Sequence, residues 1–202
     1  MKLFYAPGAC SLSPHIALRE AGISFDLQKV NTKTHELDGG GDFMAINSKG
    51  YVPVLQLDDG QYLTEGPAIV QYIADQNPAS GLAPAAGTMP RYRLQEWLNF
   101  ISTELHKGFS PLFTPQTPEE TKVAAKKKLG ERFVWVAQQL GDKPYLMGDA
   151  FSVADGYLFT VLNWGQWVGI DLAAWPTLLA FHARVATRPQ VQAAMKAEGL
   201  LK

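Results

Sequence analysis

A single cysteine, Cys10, in 202 residues excludes every disulfide within the chain. A disulfide-stapled secreted scaffold is therefore ruled out, and a reducing, cytoplasmic compartment is the expected setting. Long apolar runs are missing too. No stretch of 18 apolar residues occurs, so no membrane span is expected. The richest stretch, Tyr157 to Val168, is broken by Asn163, Gly165 and Gln166. Only Leu3 to Ala6 separate Lys2 from Pro7-Gly8, which is too short for the apolar region of a signal peptide. Charge of one sign is scarce as well. The formal net charge is -1, so no overall field draws nucleic acid or an anionic membrane. His15, His35 and His182 have no second histidine or carboxylate at ligand spacing, so no metal site is expected. Gly39-Gly40-Gly41 lacks a following Lys-Ser/Thr and reads as a flexible loop, not a phosphate cradle. Internal repeats and low-complexity segments are absent.

What remains is ordinary globular material: 47% hydrophobic and 18% charged residues, ample for a packed core. Residues 2–5 read as a buried strand. Pro7-Gly8 makes a turn, and helix signals run from about Ser11 to Ala21, with Gly22 as the stop. Ser24 to Val30 alternates as a second strand. A strand–helix–strand unit of this length makes a parallel pair with a right-handed crossover. Asn31 to Asp42 is polar and reads as a mobile loop, and Phe43 to Ile46 as one helical turn. Two apolar runs around Asp59-Gly60 form a hairpin, and a helix opens at Glu65-Gly66-Pro67. The order β-α-β-α-β-β-α is a complete small α/β unit.

Pro78 to Pro90 has no periodicity and reads as a connection, with the linker proper at 81–89. Helices follow over 91–106, 119–140, 152–168, 175–187 and 190–198. The third of these is apolar on nearly every side and is expected to be central and buried. Its start, Ser152-Val153-Ala154-Asp155, resembles a capping box. The organisation is thus an α/β domain over 1–80 and an all-helical domain over 90–202.

Several residues are able to carry chemistry. Cys10 sits where a strand turns into a helix, and a helix N-terminus favours thiolate over thiol. A buried, inert cysteine is the competing reading. Cys10-Ser11-Leu12-Ser13 is C-x-x-S, so with no second sulfur the disulfide product would be a mixed one with a small external thiol. A cis Val52-Pro53 bond would turn the Val52 backbone outward, toward an extended peptide. Glu65 at a helix start either offsets the dipole or captures an amine, with the Gly66 N–H taking an anion. Asn99, Thr103 and His106, at i, i+4 and i+7, share one helix face, which is solvated or functional. Trp164, Trp167 and Phe113 either line an apolar pocket or belong to the core. Lys126-Lys127-Lys128 reads as a solvated helix face.

The order of these motifs points further. Tyr5 to Ser13, Val52-Pro53, Leu63-Thr64-Glu65-Gly66-Pro67-Ala68-Ile69, Glu104-Leu105-His106-Lys107-Gly108 and Ser152-Val153-Ala154-Asp155 succeed one another along the chain. Together they resemble a bacterial beta-class glutathione S-transferase over essentially the full length. The resemblance implies a thioredoxin-like N-terminal domain, an all-helical C-terminal domain, a homodimer and a cis Val52-Pro53 bond. It implies that glutathione, as co-substrate and with no prosthetic group, meets Cys10, His35, Val52, Pro53, Glu65, Gly66, Asn99, Thr103, Glu104, His106 and Lys107. It implies catalysis shared by Cys10, Ser11 and His106, the glutathione sulfur lying at Cys10. The expected activity is conjugation of the glutathione thiol to hydrophobic electrophiles, a detoxification reaction, with thiol–disulfide exchange through Cys10. A glutathione-dependent thiol transferase or reductive dehalogenase is the alternative, and a non-catalytic ligand carrier a further one. Two positions depart from the pattern. His35 stands where the family often has Lys, and it holds a carboxylate only when protonated. Gly66 stands where related enzymes have Ser, which removes a hydroxyl but keeps the N–H.

Overall fold

The computed structural model describes residues 1–201. Their contacts divide into two compact units, Met1–Ala83 together with the chain from Arg188 onward, and Pro84–Thr187.

The first unit is built on β1 (Lys2–Tyr5), β2 (Asp26–Asn31), β3 (Glu36–Leu37), β4 (Val54–Gln56) and β5 (Tyr62–Thr64), in the order β3-β2-β1-β4-β5. Leu3, Phe4 and Tyr5 are buried, which fits the central place of β1. It pairs parallel with β2, as the strand–helix–strand pattern requires, and antiparallel with β4. The β4–β5 hairpin turns at Asp59-Gly60, with Leu55 opposite Leu63. The helices α1 (Leu12–Glu20) and α2 (Gly66–Gln76) pack against each other. Phe4, Val30, Phe43, Val52 and Val54 form a core cluster.

Two features of this unit differ from the sequence expectation. The segment read as a mobile loop over 31–42 contains β3, which pairs antiparallel with the end of β2. The His35 N–H donates to the Asn31 carbonyl at 2.7 Å, and the Phe43 N–H donates to the His35 carbonyl at 2.8 Å. Backbone pairing thus orders a stretch whose side chains carry no alternating pattern. Secondly, the expected helical domain over 90–202 is divided. The helix α9 (Pro189–Ala197) packs on α1 of the first unit. Arg188 fixes the entry to α9 with a two-pronged grip on Glu20, Nε to Oε1 at 2.7 Å and Nη2 to Oε2 at 2.8 Å.

The second unit holds α3 (Met89–Phe100), α4 (Lys107–Phe113), α5 (Glu119–Leu140), α6 (Val153–Asn163), α7 (Gly165–Val168) and α8 (Pro176–Ala186). Thr88 caps α3 by accepting from the Arg91 N–H. Every residue of α6 from Val153 to Leu162 is buried, so it is the central helix its all-round apolar content announced. The Asp155 carboxylate fastens its first turn, accepting from the Ser152 N–H at 2.8 Å, the Ser152 hydroxyl at 2.7 Å and the Leu146 N–H at 2.8 Å. Between α3 and α4 the helix widens into a π turn, Ile101–His106, and the Lys107 N–H reaches back five residues to the Ser102 carbonyl. Among the described residues no helix is long and apolar enough to cross a membrane.

Candidate functional site

In the first unit the site begins at the loop between β1 and α1. Cys10 is partly exposed, and its Sγ donates to the Val52 carbonyl at 3.2 Å. The Val52-Pro53 bond is cis. Thiol and Val52 main chain, distant in sequence, are therefore one local feature.

The loop is held from both sides. Ser11 is fully buried, and its hydroxyl donates to the Ala6 carbonyl at 3.2 Å and accepts from the Ala6 N–H at 3.1 Å. A hydroxyl closed from solvent and engaged on both its functions braces the backbone of this loop.

On the other side, Glu198 Oε2 accepts from the Gly8 N–H at 2.9 Å, and Oε1 lies 2.8 Å from His15 Nδ1. Arg19 Nε donates to His15 Nε2 at 2.9 Å. His15 Nε2 therefore carries the lone pair, and Nδ1 carries the proton given to Glu198. The chain Arg19–His15–Glu198–Gly8 runs inward from a partly exposed Arg19 to a buried His15, at 0% exposure, and Glu198, at 6%. Sequence reasoning missed Glu198 altogether and set His15 aside. No local spacing links a C-terminal glutamate to Gly8.

Glu65 marks the start of α2. Among the described residues it is one of two non-glycines with positive φ, at 68°, and Gly66 opens the helix directly after it. A side chain in the left-handed region is uncommon and marks a position where backbone direction matters more than comfort. Lys49 Nζ donates to Glu65 Oε1 at 2.6 Å and to Thr64 Oγ1 at 3.0 Å. Lys49 was not singled out from sequence. Its only signal there is a positive charge in an otherwise acid-poor turn.

His35 is the other such residue, at φ 59°. Its ring packs on Gly50, itself at φ 69°, where a Cβ would come within 2.7 Å of His35 Cε1. Gly50 is thus required both by its backbone angle and by the ring beside it. The Nδ1 of His35 is buried without a hydrogen-bond partner. A groove of about 540 Å³ opens alongside, lined by His35, Glu36 and the Gly40-Gly41-Asp42 turn.

The second unit holds the remaining expected residues. A π turn, Ile101–His106, interrupts the 3.6-residue period that a shared face of Asn99, Thr103 and His106 assumes. Asn99 and Thr103 stay exposed, with the Thr103 hydroxyl donating to the Asn99 carbonyl at 3.0 Å. His106 turns inward instead. Its Nδ1 lies 2.6 Å from the Tyr157 hydroxyl, and its ring meets Trp164 edge to face at 4.8 Å. Phe109 and Phe113 also approach Trp164, at 5.6 and 5.9 Å. Trp164 and Phe113 thus belong to an aromatic nest beside a polar imidazole, whereas Trp167 stands half exposed on α7.

Glu104 is engaged by α5. Arg132 Nε donates to its carboxylate at 2.7 Å, and Lys128 lies at 3.8 Å. Arg132 first, then Lys128, holds the Glu104 carboxyl below its usual range. Lys107 and Thr103 line a groove of about 410 Å³ with Lys128 of α5. Among the described residues no group of three His, Cys, Asp or Glu side chains is placed to hold a metal ion.

A thioredoxin-like sheet carrying a thiol at the first turn of α1, together with an all-helical unit, defines the glutathione transferase class of fold. The sequence agrees with it. Residues 8–76 match the glutathione S-transferase N-terminal domain and residues 100–189 the C-terminal domain. The chain belongs to the glutathione S-transferase family of transferases. It is 50% identical to glutathione S-transferase GstA of Escherichia coli O157:H7 over 200 residues, 99% of this chain and 100% of that one. Among solved structures it is similar to the ternary complex of BphK, a bacterial GST. The TM-score is 0.97 and the identity 59%, over 99% of this chain and 100% of that one. It is similar also to a sphingomonad glutathione S-transferase complexed with glutathione. There the TM-score is 0.96 and the identity 52%, with both chains fully covered.

Proposed function

We propose that this protein is a cytoplasmic, homodimeric glutathione transferase that conjugates the glutathione thiol to hydrophobic electrophiles, with no prosthetic group. The observation that carries the reading is the pairing of a partly exposed Cys10 thiol with the Val52 carbonyl at the start of α1. A cysteinyl peptide laid along Val52 brings its own sulfur to the same place. The helix N-terminus there stabilises negative charge, so the bound thiol loses its proton to solvent more readily. Glu65 holds the ammonium of the γ-glutamyl group, the Gly66 N–H its carboxylate, and His35 the carboxylate at the other end. Asn99, Thr103, Glu104 and Lys107 are the further glutathione contacts under this reading. The aromatic nest around His106 receives the electrophile.

The thiolate attacks an electrophilic carbon, and a sulfur–carbon bond forms. In a halide substrate the carbon–halogen bond breaks and halide leaves with the electron pair. In an enone the pair moves onto the carbonyl oxygen, and a proton is then taken up at carbon. His106 donates a hydrogen bond to the charge that develops.

Cys10 supports a second activity, exchange with a glutathione disulfide through a mixed disulfide. Intact mass before and after reductant, with Cys10→Ala beside the parent, separates the two. Conjugation by Cys10→Ala should persist within about tenfold, and the reductant-sensitive glutathione adduct should vanish. Loss of conjugation along with the adduct would make Cys10 the nucleophile and favour the thiol-transferase or dehalogenase reading.

A further inference from the structure

We infer that Tyr157 is a positioning residue, whose hydroxyl fixes His106 in the tautomer that carries its proton on Nε2. The inference deepens the proposed function and rests on its assignment of His106 to the electrophile.

Tyr157 is only 3% exposed, on the central helix α6, two residues beyond Asp155. The three hydrogen bonds to Asp155 fasten that turn, so the tyrosine stands on one of the most firmly anchored points of the unit. Its hydroxyl oxygen lies 2.6 Å from His106 Nδ1, and the two rings meet at 81° with centroids 6.0 Å apart. Trp164 closes on the imidazole at 74°, so the ring plane is held as well.

The direction of the proton follows from basicity. A neutral imidazole has one pyridine-like nitrogen and one N–H, and the other partner decides which is which. An imidazole nitrogen is protonated near pH 6.5, whereas a phenol loses its proton only near pH 10. The phenol is thus the donor and the imidazole lone pair the acceptor. Nδ1 accepts from Tyr157, and the ring proton is left on Nε2. His106 is thereby set to donate, which is what developing negative charge on a substrate needs. The logic matches second partners of ligating histidines, where the bond at one nitrogen sets the role of the other. No local spacing marks the pair, because it joins two helices that are far apart in sequence.

The test uses the full-length protein with ¹⁵N-labelled histidine at about pH 8, where an ordinary imidazole is neutral. The His106 signals are assigned by their loss in His106→Ala. In the parent, Nδ1 should show the shift of an unprotonated nitrogen and Nε2 that of an N–H. In Tyr157→Phe the two shifts should move toward an average. An Nδ1 that bears the proton in the parent overturns the inference.

Activity gives an independent reading. Tyr157→Phe should lower kcat/KM for conjugation about tenfold, with glutathione affinity unchanged. In a His106→Ala background the same substitution should cost nothing further. Equal losses in both backgrounds would make Tyr157 a merely structural residue and overturn the proposal. Full activity in His106→Ala would instead overturn the assignment of His106, while the nitrogen shifts still decide the tautomer.

Discussion

Ser11 and Glu65 stand at the starts of the first two helices, and the fold uses them in opposite ways. The Ser11 hydroxyl is spent on Ala6 and closed from solvent, whereas the Glu65 carboxylate is exposed and pairs with Lys49. Replacing them should separate stability from binding. Ser11→Ala leaves the Ala6 N–H without its partner in a buried turn, a loss of about 1–3 kcal/mol in urea unfolding. Activity should then fall only as the folded fraction falls. Glu65→Ala removes no buried contact, so the unfolding midpoint should stay within experimental error. Its glutathione affinity, measured by calorimetry, should weaken about tenfold or more, as expected when a hydrogen bond to a charged group is lost. A stable, tight-binding Glu65→Ala protein would remove the amine-capturing role. Cys10 and Glu65 stood out in the sequence as candidates because a helix start has its own chemistry, whereas the cis Val52-Pro53 bond followed only from the family resemblance. Ser11 was legible as a candidate only; what its hydroxyl does depends on where the Ala6 backbone passes.

At the scale of elements, most of the fold follows from pattern. The hairpin around Asp59-Gly60, the long α5 and the all-round apolar α6 stand where periodicity and caps put them. The exceptions have a common origin, since each is set by backbone bonding that leaves no trace in side-chain period. The short β3 rests on ladder bonds to β2, and the π turn rests on five-residue backbone bonds such as Lys107 N–H to the Ser102 carbonyl. The Asp155 cap of α6 carries the element-scale prediction. Burial pushes its pKa from 3.8 up to about 6, against the lowering effect of the hydrogen bonds from Leu146 and Ser152. The folded state therefore takes up a proton, between pH 6 and 4, that the unfolded state does not yet bind. The contribution of this group to stability is complete below about pH 4 and is lost as pH rises through 6. A shift of about two units corresponds to roughly 3 kcal/mol. The stability difference between the parent and Asp155→Asn should thus be largest near pH 4 and shrink by up to that amount at pH 7. A difference that grows with pH in urea titrations would show that the carboxylate is held ionised by its donors.

For the whole molecule, the division of the chain matters more than its length. The first unit is not a continuous segment, because α9 and Glu198 return to it from the far end. A reading along the sequence puts boundaries where composition changes, and nothing in composition marks this return. Its energetic signature is the Arg19–His15–Glu198–Gly8 chain. Ending the chain at Thr187 would remove the Glu198 carboxylate that accepts from the Gly8 N–H and the His15 ring, and the Arg188 guanidinium that grips Glu20. The truncated protein should lose on the order of 3–5 kcal/mol, enough to unfold a marginal unit. Amide exchange should show the loss concentrated in the β1–α1 loop. Protection of Gly8 equal to that in the full chain would refute the anchoring role.

The same return has a consequence in time. Synthesis proceeds from the N-terminus, so Cys10 leaves the ribosome long before Glu198 does. Until Glu198 emerges, the Pro7-Gly8 turn lacks the carboxylate that accepts from the Gly8 N–H, and the thiol loop is incompletely set. A nascent chain is thus a thiol without its finished cradle, and a residue made nearly two hundred positions later is the one that completes it.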